Sequence, residues 1–161
     1  MKVLIISDSH GRNTHLERVL ERENDIDFLI HLGDLEGTEE YLEEVLDCPM
    51  AMVSGNNDYF SSLDREKLIE LEGHKIFITH GHRYQVYEGA GLLKEIGREL
   101  GVEIVMFGHT HIPYLDTEDD VIALNPGSIS QPRQKDRIPT YMIMNIMRKG
   151  QLNFEIKRVN F

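Results

Sequence analysis

Lys2-Val3-Leu4-Ile5-Ile6-Ser7-Asp8-Ser9-His10 runs from an unbroken apolar segment straight into a carboxylate and an imidazole. Val3 to Ile6 has no helical periodicity, which is the pattern of a strand buried on both faces of an α/β sheet. Asp8 and His10 are two residues apart, and in an extended chain that spacing projects both side chains to one side. For Asp8 the plain alternative is an N-cap for the next helix. Open α/β sheets gather their ligands at the carboxyl ends of strands, where these two residues stand.

Outward from this strand, Thr14 to Glu23 repeats Leu16, Val19 and Leu20 at helical spacing, with Asn13 or Thr14 as N-cap. Phe28 to Ile30 reads as a second strand and Met50 to Val53 as a third. Between them lies a helix from Thr38 to Leu46, stopped by Pro49. Lys67 to Leu71 and Lys75 to Thr79 flank Glu72-Gly73-His74 as a β-hairpin. A helix follows from Gly91 to Leu100, capped by Gly101, and then a strand from Glu103 to Phe107. Short strands at Pro113 to Asp116, Val121 to Leu124, Thr140 to Met147 and Gln151 to Val159 complete the chain. Strand and helix alternate at the front, and mostly antiparallel strands are expected at the back. Packed sheets with helices outside, an α/β sandwich, accommodate this order in one domain spanning residues 1–161.

The strand-then-polar context recurs. Gly33-Asp34, Gly55-Asn56-Asn57-Asp58, His80-Gly81-His82 and Gly108-His109-Thr110-His111 each follow an apolar strand. Hard oxygens and imidazoles of this kind suit divalent cations. Each segment alone has a bland reading, as a turn or a hydrogen-bonded strand end, but five in one topological context supply a ligand set for a pair of cations. Asp8, His10, Asp34, Asn56, His80, His109 and His111 are the candidates. His15 and His74 read as solvated, His31 as a supporting neighbour, and Cys48 as a small buried hydrophobe.

With 161 residues, 40% hydrophobic and 28% charged, the chain falls in the globular range and is long enough for a real core. A formal charge of -11 argues against long nucleic acid as a partner, because that affinity comes mostly from Lys and Arg. No run reaches the roughly 20 apolar residues of a membrane span, and the opening run is too short for a signal peptide. A single cysteine agrees with a reducing compartment, so a cytoplasmic setting without membrane attachment is expected.

These residues resemble the calcineurin-like metallophosphoesterase superfamily, whose pattern is Asp-x-His, Gly-Asp, Gly-Asn-His-Asp/Glu, a later His and Gly-His-x-His. The short length, Thr79-His80-Gly81-His82 and Asn125-Pro126-Gly127-Ser128 with Arg133 are similar to its small prokaryotic phosphodiesterase branch. The resemblance implies two packed mixed sheets flanked by helices and hydrolysis of small phosphodiesters by a hydroxide bridging two cations. It also implies that Asp8, His10, Asp34 and His111 hold one cation, and that Asp34, Asn56, His80 and His109 hold the other. Manganese or nickel is favoured, and iron, cobalt or zinc also suits the donors.

Asp58 is expected to orient Asn56 or a neighbouring group through hydrogen bonds. His82, Asn57 and Arg133 are expected at the substrate, with Asp34, Asn56, Asp58 and His82 serving catalysis. Asn57 replaces the histidine of many members and cannot donate a proton, so esters with good leaving groups should react faster. A related retromer subunit keeps the fold as a binding scaffold, the rival expectation. A small phosphate ester is the expected partner, and a homodimer is compatible with the chain.

Overall fold

The computed structural model describes residues 1–160. In chain order the elements are β1 (Lys2–Ile6), α1 (Thr14–Arg22), β2 (Phe28–His31), α2 (Thr38–Val45), β3 (Met50–Met52), β4 (Glu66–Leu71) and β5 (His74–Thr79). They continue with α3 (Gly91–Leu100), β6 (Ile104–Met106), β7 (Pro113–Asp116), β8 (Ile122–Pro126), β9 (Thr140–Ile146) and β10 (Leu152–Arg158). Two five-stranded mixed sheets result, ordered β10-β9-β1-β2-β3 and β4-β5-β6-β8-β7.

Alternation along β1 shows how the layers form. Val3 and Ile5 join Ile30, Ile76, Ile78, Ile104 and Met106 in a core shared by both sheets. Leu4 and Ile6 pack on the opposite side with Leu16 and Val19 of α1 and Leu42 of α2. All four β1 residues are fully buried, which explains why the run is apolar at every position. Each such side chain contributes about 1.5–3 kcal/mol by leaving water. On the outer face of the second sheet, Leu93 of α3 packs with Phe77, Val105 and Ala123. The layers are therefore helix, sheet, sheet, helix.

The back half differs from the antiparallel expectation. β5 pairs parallel with β6, and β6 parallel with β8. Parallel neighbours need a long crossover, and α3 supplies the one between β5 and β6. Asn13 precedes α1 without capping it, since its Oδ1 accepts instead from the Thr38 hydroxyl at 3.1 Å. Among the described residues no helix is long and apolar enough to cross a membrane.

Candidate metal centre

Three loops enter the site with the same backbone device. After β1, Asp8 and His10 have φ of 55° and 49°; after β2, Asp34 and Glu36 have 55° and 49°; after β6, His109 and His111 have 68° and 58°. Such left-handed conformations cost about 1 kcal/mol or more at each residue that is not glycine, and they gather at functional sites. Asp8 and His10 therefore do not reach one cavity along an extended strand. Alternate left-handed residues fold each loop back, and backbone bonds from Asp8 N to Gly33 O (3.0 Å) and His10 N to Asp34 O (2.9 Å) lock the first loop to the second. Two glycines permit the crowding. A Cβ at Gly55 would lie 2.1 Å from Asp34 Oδ1, and one at Gly108 would lie 2.0 Å from the Ser7 hydroxyl oxygen and 2.8 Å from Asp8 Oδ2.

The loops bring one ligand atom each from Asp8, His10, Asp34 and His111 within 4.8 Å of one another. His111 Nε2 lies 3.1 Å from Asp8 Oδ1, and His80 Nε2 lies 3.4 Å from Asp34 Oδ2. The His109 ring centroid is 5.1 Å from that of His80. The far side of each of three imidazoles is fixed. His10 Nδ1 faces the Glu36 carboxylate, His80 Nδ1 meets Leu32 O at 2.7 Å, and His111 Nδ1 meets Gln131 O at 2.7 Å. A carbonyl only accepts, so the Nδ1 proton is assigned by its partner and the Nε2 lone pair is left facing the carboxylates.

The arrangement calls for positive charge. Asp8 Oδ2 already accepts from the Ser7 hydroxyl (2.6 Å) and the His109 N–H (3.1 Å), leaving Oδ1 free. Asp8 Oδ1 and His80 Nε2 are both buried without a hydrogen-bond partner among the described residues. His10 Nε2 and His111 Nε2 approach to 3.2 Å. Buried acceptors facing each other without donors are costly unless a cation lies among them. Burial alone would raise the Asp8 carboxyl pKa, but the His111 and His80 imidazoles beside it outweigh burial and hold it low. Asp34 is held low in the same way by His80 and Asn57, while burial of His80 is outweighed by Asp34 and Asp8, which raise its pKa. His109 is pushed down to about 4 by burial and by His80 beside it. These donors fit divalent cations.

The asparagines trade places relative to expectation. Gly55 to Asp58 is a tight turn, closed by Asp58 N–H to Gly55 O at 3.3 Å, and Asn56 stands exposed on it. Asn57 turns inward, donating its backbone N–H to Asp34 Oδ1 (2.8 Å) and its amide to Oδ2 (2.7 Å). Asp58 accepts from the N–H groups of Leu35 (3.2 Å), Glu36 (2.8 Å) and Gly55 (2.7 Å), so of the two expected targets it holds the neighbouring Asp34 loop and not Asn56. His82 is half-buried, its ring 5.5 Å from His80 and 6.0 Å from His109. Arg133 is exposed and donates to the Tyr87 hydroxyl at 2.9 Å, and the Tyr87 ring lies 5.1 Å from His109.

Buried His31 meets the Ser9 hydroxyl at 2.9 Å and accepts from Gly33 N–H at 3.2 Å, and burial depresses its pKa to about 4. His15 and His74 are half-buried, not solvated: their Nδ1 atoms face Ile129 O at 3.2 Å and the Glu103 carboxylate at 2.8 Å. Cys48 is half-buried against the helix-side core.

Glu36 escaped the sequence reading, as did the bracing of Asp8 by serines, Ser128 being singled out there only within its motif. Ser128 and Ser130 hydroxyls donate to Asp8 O at 2.8 and 2.9 Å, and the Asn125 amide donates to Gly108 O at 2.9 Å. The Asn125-Pro126-Gly127-Ser128 motif thus supports the first and last metal-binding loops. Nothing local singles out Glu36, whose partner lies 26 residues away.

Layered sheets with a carboxylate and imidazole cluster at the strand ends define a metallophosphoesterase. The chain belongs to the calcineurin-like phosphoesterase superfamily, whose domain profile matches residues 1–149. It is 36% identical to a probable metallophosphoesterase, YsnB, of Bacillus subtilis, over 91% of this chain and 85% of that one. It is 31% identical to the phosphodiesterase YfcE of Escherichia coli K12, over 83% and 82%. Among solved structures, a single-substitution variant of Vps29 from Entamoeba histolytica superposes with a TM-score of 0.79 at 25% identity, covering 98% of this chain and 99% of that one. A wild-type Vps29 from the same organism has been solved with zinc. The protein is thus a metal-dependent phosphoesterase, a hydrolase.

Proposed function

We propose that this chain hydrolyses small phosphodiesters with two divalent cations. The acceptor-only cluster of Asp8, Asp34 and the Nε2 atoms of His10, His80 and His111 carries this reading. Asp8, His10, Asp34 and His111 would hold one cation, and Asp34, His80 and His109 the second, Asp34 serving both; Asn56, exposed on its turn here, would join the second only by turning inward. Bound cations supply an ionisable water and withdraw charge from the phosphoryl oxygens.

The chain's own groups do the rest. Leu32 O, Gln131 O and Glu36 hold three imidazoles in the ligand tautomer. Asn57 keeps Asp34 oriented through two hydrogen bonds. His82 and Arg133 stand where a substrate phosphate would be contacted, Arg133 positioned through Tyr87. Glu36 adds a third carboxylate, so two divalent cations would leave one net positive charge, still favourable for an anionic ester. Manganese or nickel in a cytoplasmic setting fits the mixed donor set and the single cysteine.

Hydrolysis of bis(4-nitrophenyl) phosphate by manganese-loaded protein tests the proposal, with Asp34→Asn expected to fall to background while circular dichroism stays unchanged. The likeness to Vps29 supports a second reading, a binding scaffold. Turnover separates the two, whereas metal content does not, because a Vps29 has itself been solved with zinc. No hydrolysis of any activated ester by metal-loaded protein would favour the scaffold.

A further inference from the structure

We propose that a cavity beside the metal cluster is a subsite for a second phosphate, formed by Arg65, Arg83 and His82, and that the substrates are small phosphodiesters carrying a further phosphomonoester. This rests on the phosphodiesterase reading above. The cavity measures about 500 Å³, within the range of small-molecule sites, and its wall includes Asn56, Arg65, His82 and Arg83. It adjoins the cluster on two sides. His82 packs near the rings of His80 and His109, and Gly55 and Asp58 on its wall belong to the turn that presents Asn57 to Asp34.

The two arginines are exposed, and among the described residues neither makes a hydrogen bond or ion pair. Both stand on one cavity wall in a chain with 28 acidic and 17 basic residues. Lys2, Lys94, Arg98, Lys157 and Arg158 all have carboxylate partners. Two carboxylates close by in the chain or on the wall are engaged elsewhere. Glu66 accepts from the Tyr84 hydroxyl, and Asp58, the one carboxylate on the wall, accepts three backbone N–H groups. His82 Nδ1 is buried without a partner among the described residues. Two guanidinium forks offer paired donors that match phosphate oxygens, and their combined charge matches a dianionic phosphomonoester better than a single carboxylate.

The test uses the whole chain loaded with manganese and two esters, the 4-nitrophenyl ester of thymidine 5′-phosphate and the same ester bearing a 3′-phosphate. Wild type is expected to show a KM about tenfold lower for the 3′-phosphorylated ester, and R65Q/R83Q should bring the two KM values within about twofold. Equal KM values in wild type overturn the subsite and leave the phosphodiesterase reading standing. Calorimetric binding of thymidine 3′,5′-bisphosphate against thymidine 5′-monophosphate keeps the two claims separate. Tighter bisphosphate binding that R65Q/R83Q abolishes supports the subsite even if neither ester is hydrolysed, in which case the phosphodiesterase reading alone fails. Equal binding of the two nucleotides sinks the subsite whatever the turnover.

Discussion

Glu36 and His10 show how one contact at the residue scale governs a metal site. With its Nδ1 proton engaged by Glu36, the His10 ring can turn only Nε2 toward Asp8 and Asp34, 3.9 Å from an oxygen of each. Removing such a supporting partner from a ligand imidazole weakens metal binding by about 10- to 100-fold. Glu36→Gln keeps an acceptor but loses the charge, and is expected to lie near the lower end of that range; Glu36→Ala should lie near the upper end. Calorimetric titration with manganese reads both, and an affinity unchanged in Glu36→Ala would show that His10 needs no orienting partner. Asn57 works at the same scale, holding both oxygens of Asp34 while having no proton to give a leaving group.

Glu23, at the end of α1, ties that element to the first sheet. Its carboxylate is buried, accepting from the Tyr141 hydroxyl of β9 and Lys157 of β10, both at 2.7 Å, and pairing with Lys2 of β1 at 3.0 Å. Burial would raise its pKa, but the hydrogen bonds from Lys157, Tyr141 and Lys2 outweigh it and lower the pKa from 4.5 to about 2. A carboxylate depressed in the folded state stabilises fully above its unfolded pKa, and that stability is lost as pH falls through the folded value. The contribution, up to about 3 kcal/mol, should therefore be intact at pH 7 and fade between about pH 5 and pH 2. Urea unfolding of wild type and Glu23→Gln should differ at pH 7 and converge at the acid end. Parallel curves across that window would show that Glu23 is not anchored as described.

For the whole molecule, the cluster stores unfavourable proximity that a cation relieves. Six left-handed residues and buried acceptors facing one another are held together by the packing of two sheets. Metal that binds only the folded chain stabilises it by about 2.7 kcal/mol at a free concentration one hundred times its Kd. For a chain of this size that raises Tm by about 5 to 10 °C. Calorimetric scans with manganese should show the rise, chelator should reverse it, and Asp8→Asn should abolish it. A Tm indifferent to manganese in wild type would mean the cluster tolerates its own charge without a cation.

Nearly every strand and helix could be placed from the sequence to within a residue or two, because apolar periodicity and stop signals act locally. The types of ligand were also readable, since few side chains can hold a divalent cation and each of these follows an apolar strand. Meeting distances were not readable. His10 and His111 are 101 residues apart yet 3.2 Å from each other, and that approach is set by the packing of β1 and β6 in facing sheets. The inward turn of Asn57, the parallel course of β5, β6 and β8, and the partners of Glu36, His15 and His74 likewise depend on neighbours far along the chain. Local sequence dictates what each segment becomes; which groups touch follows from how the finished layers stack.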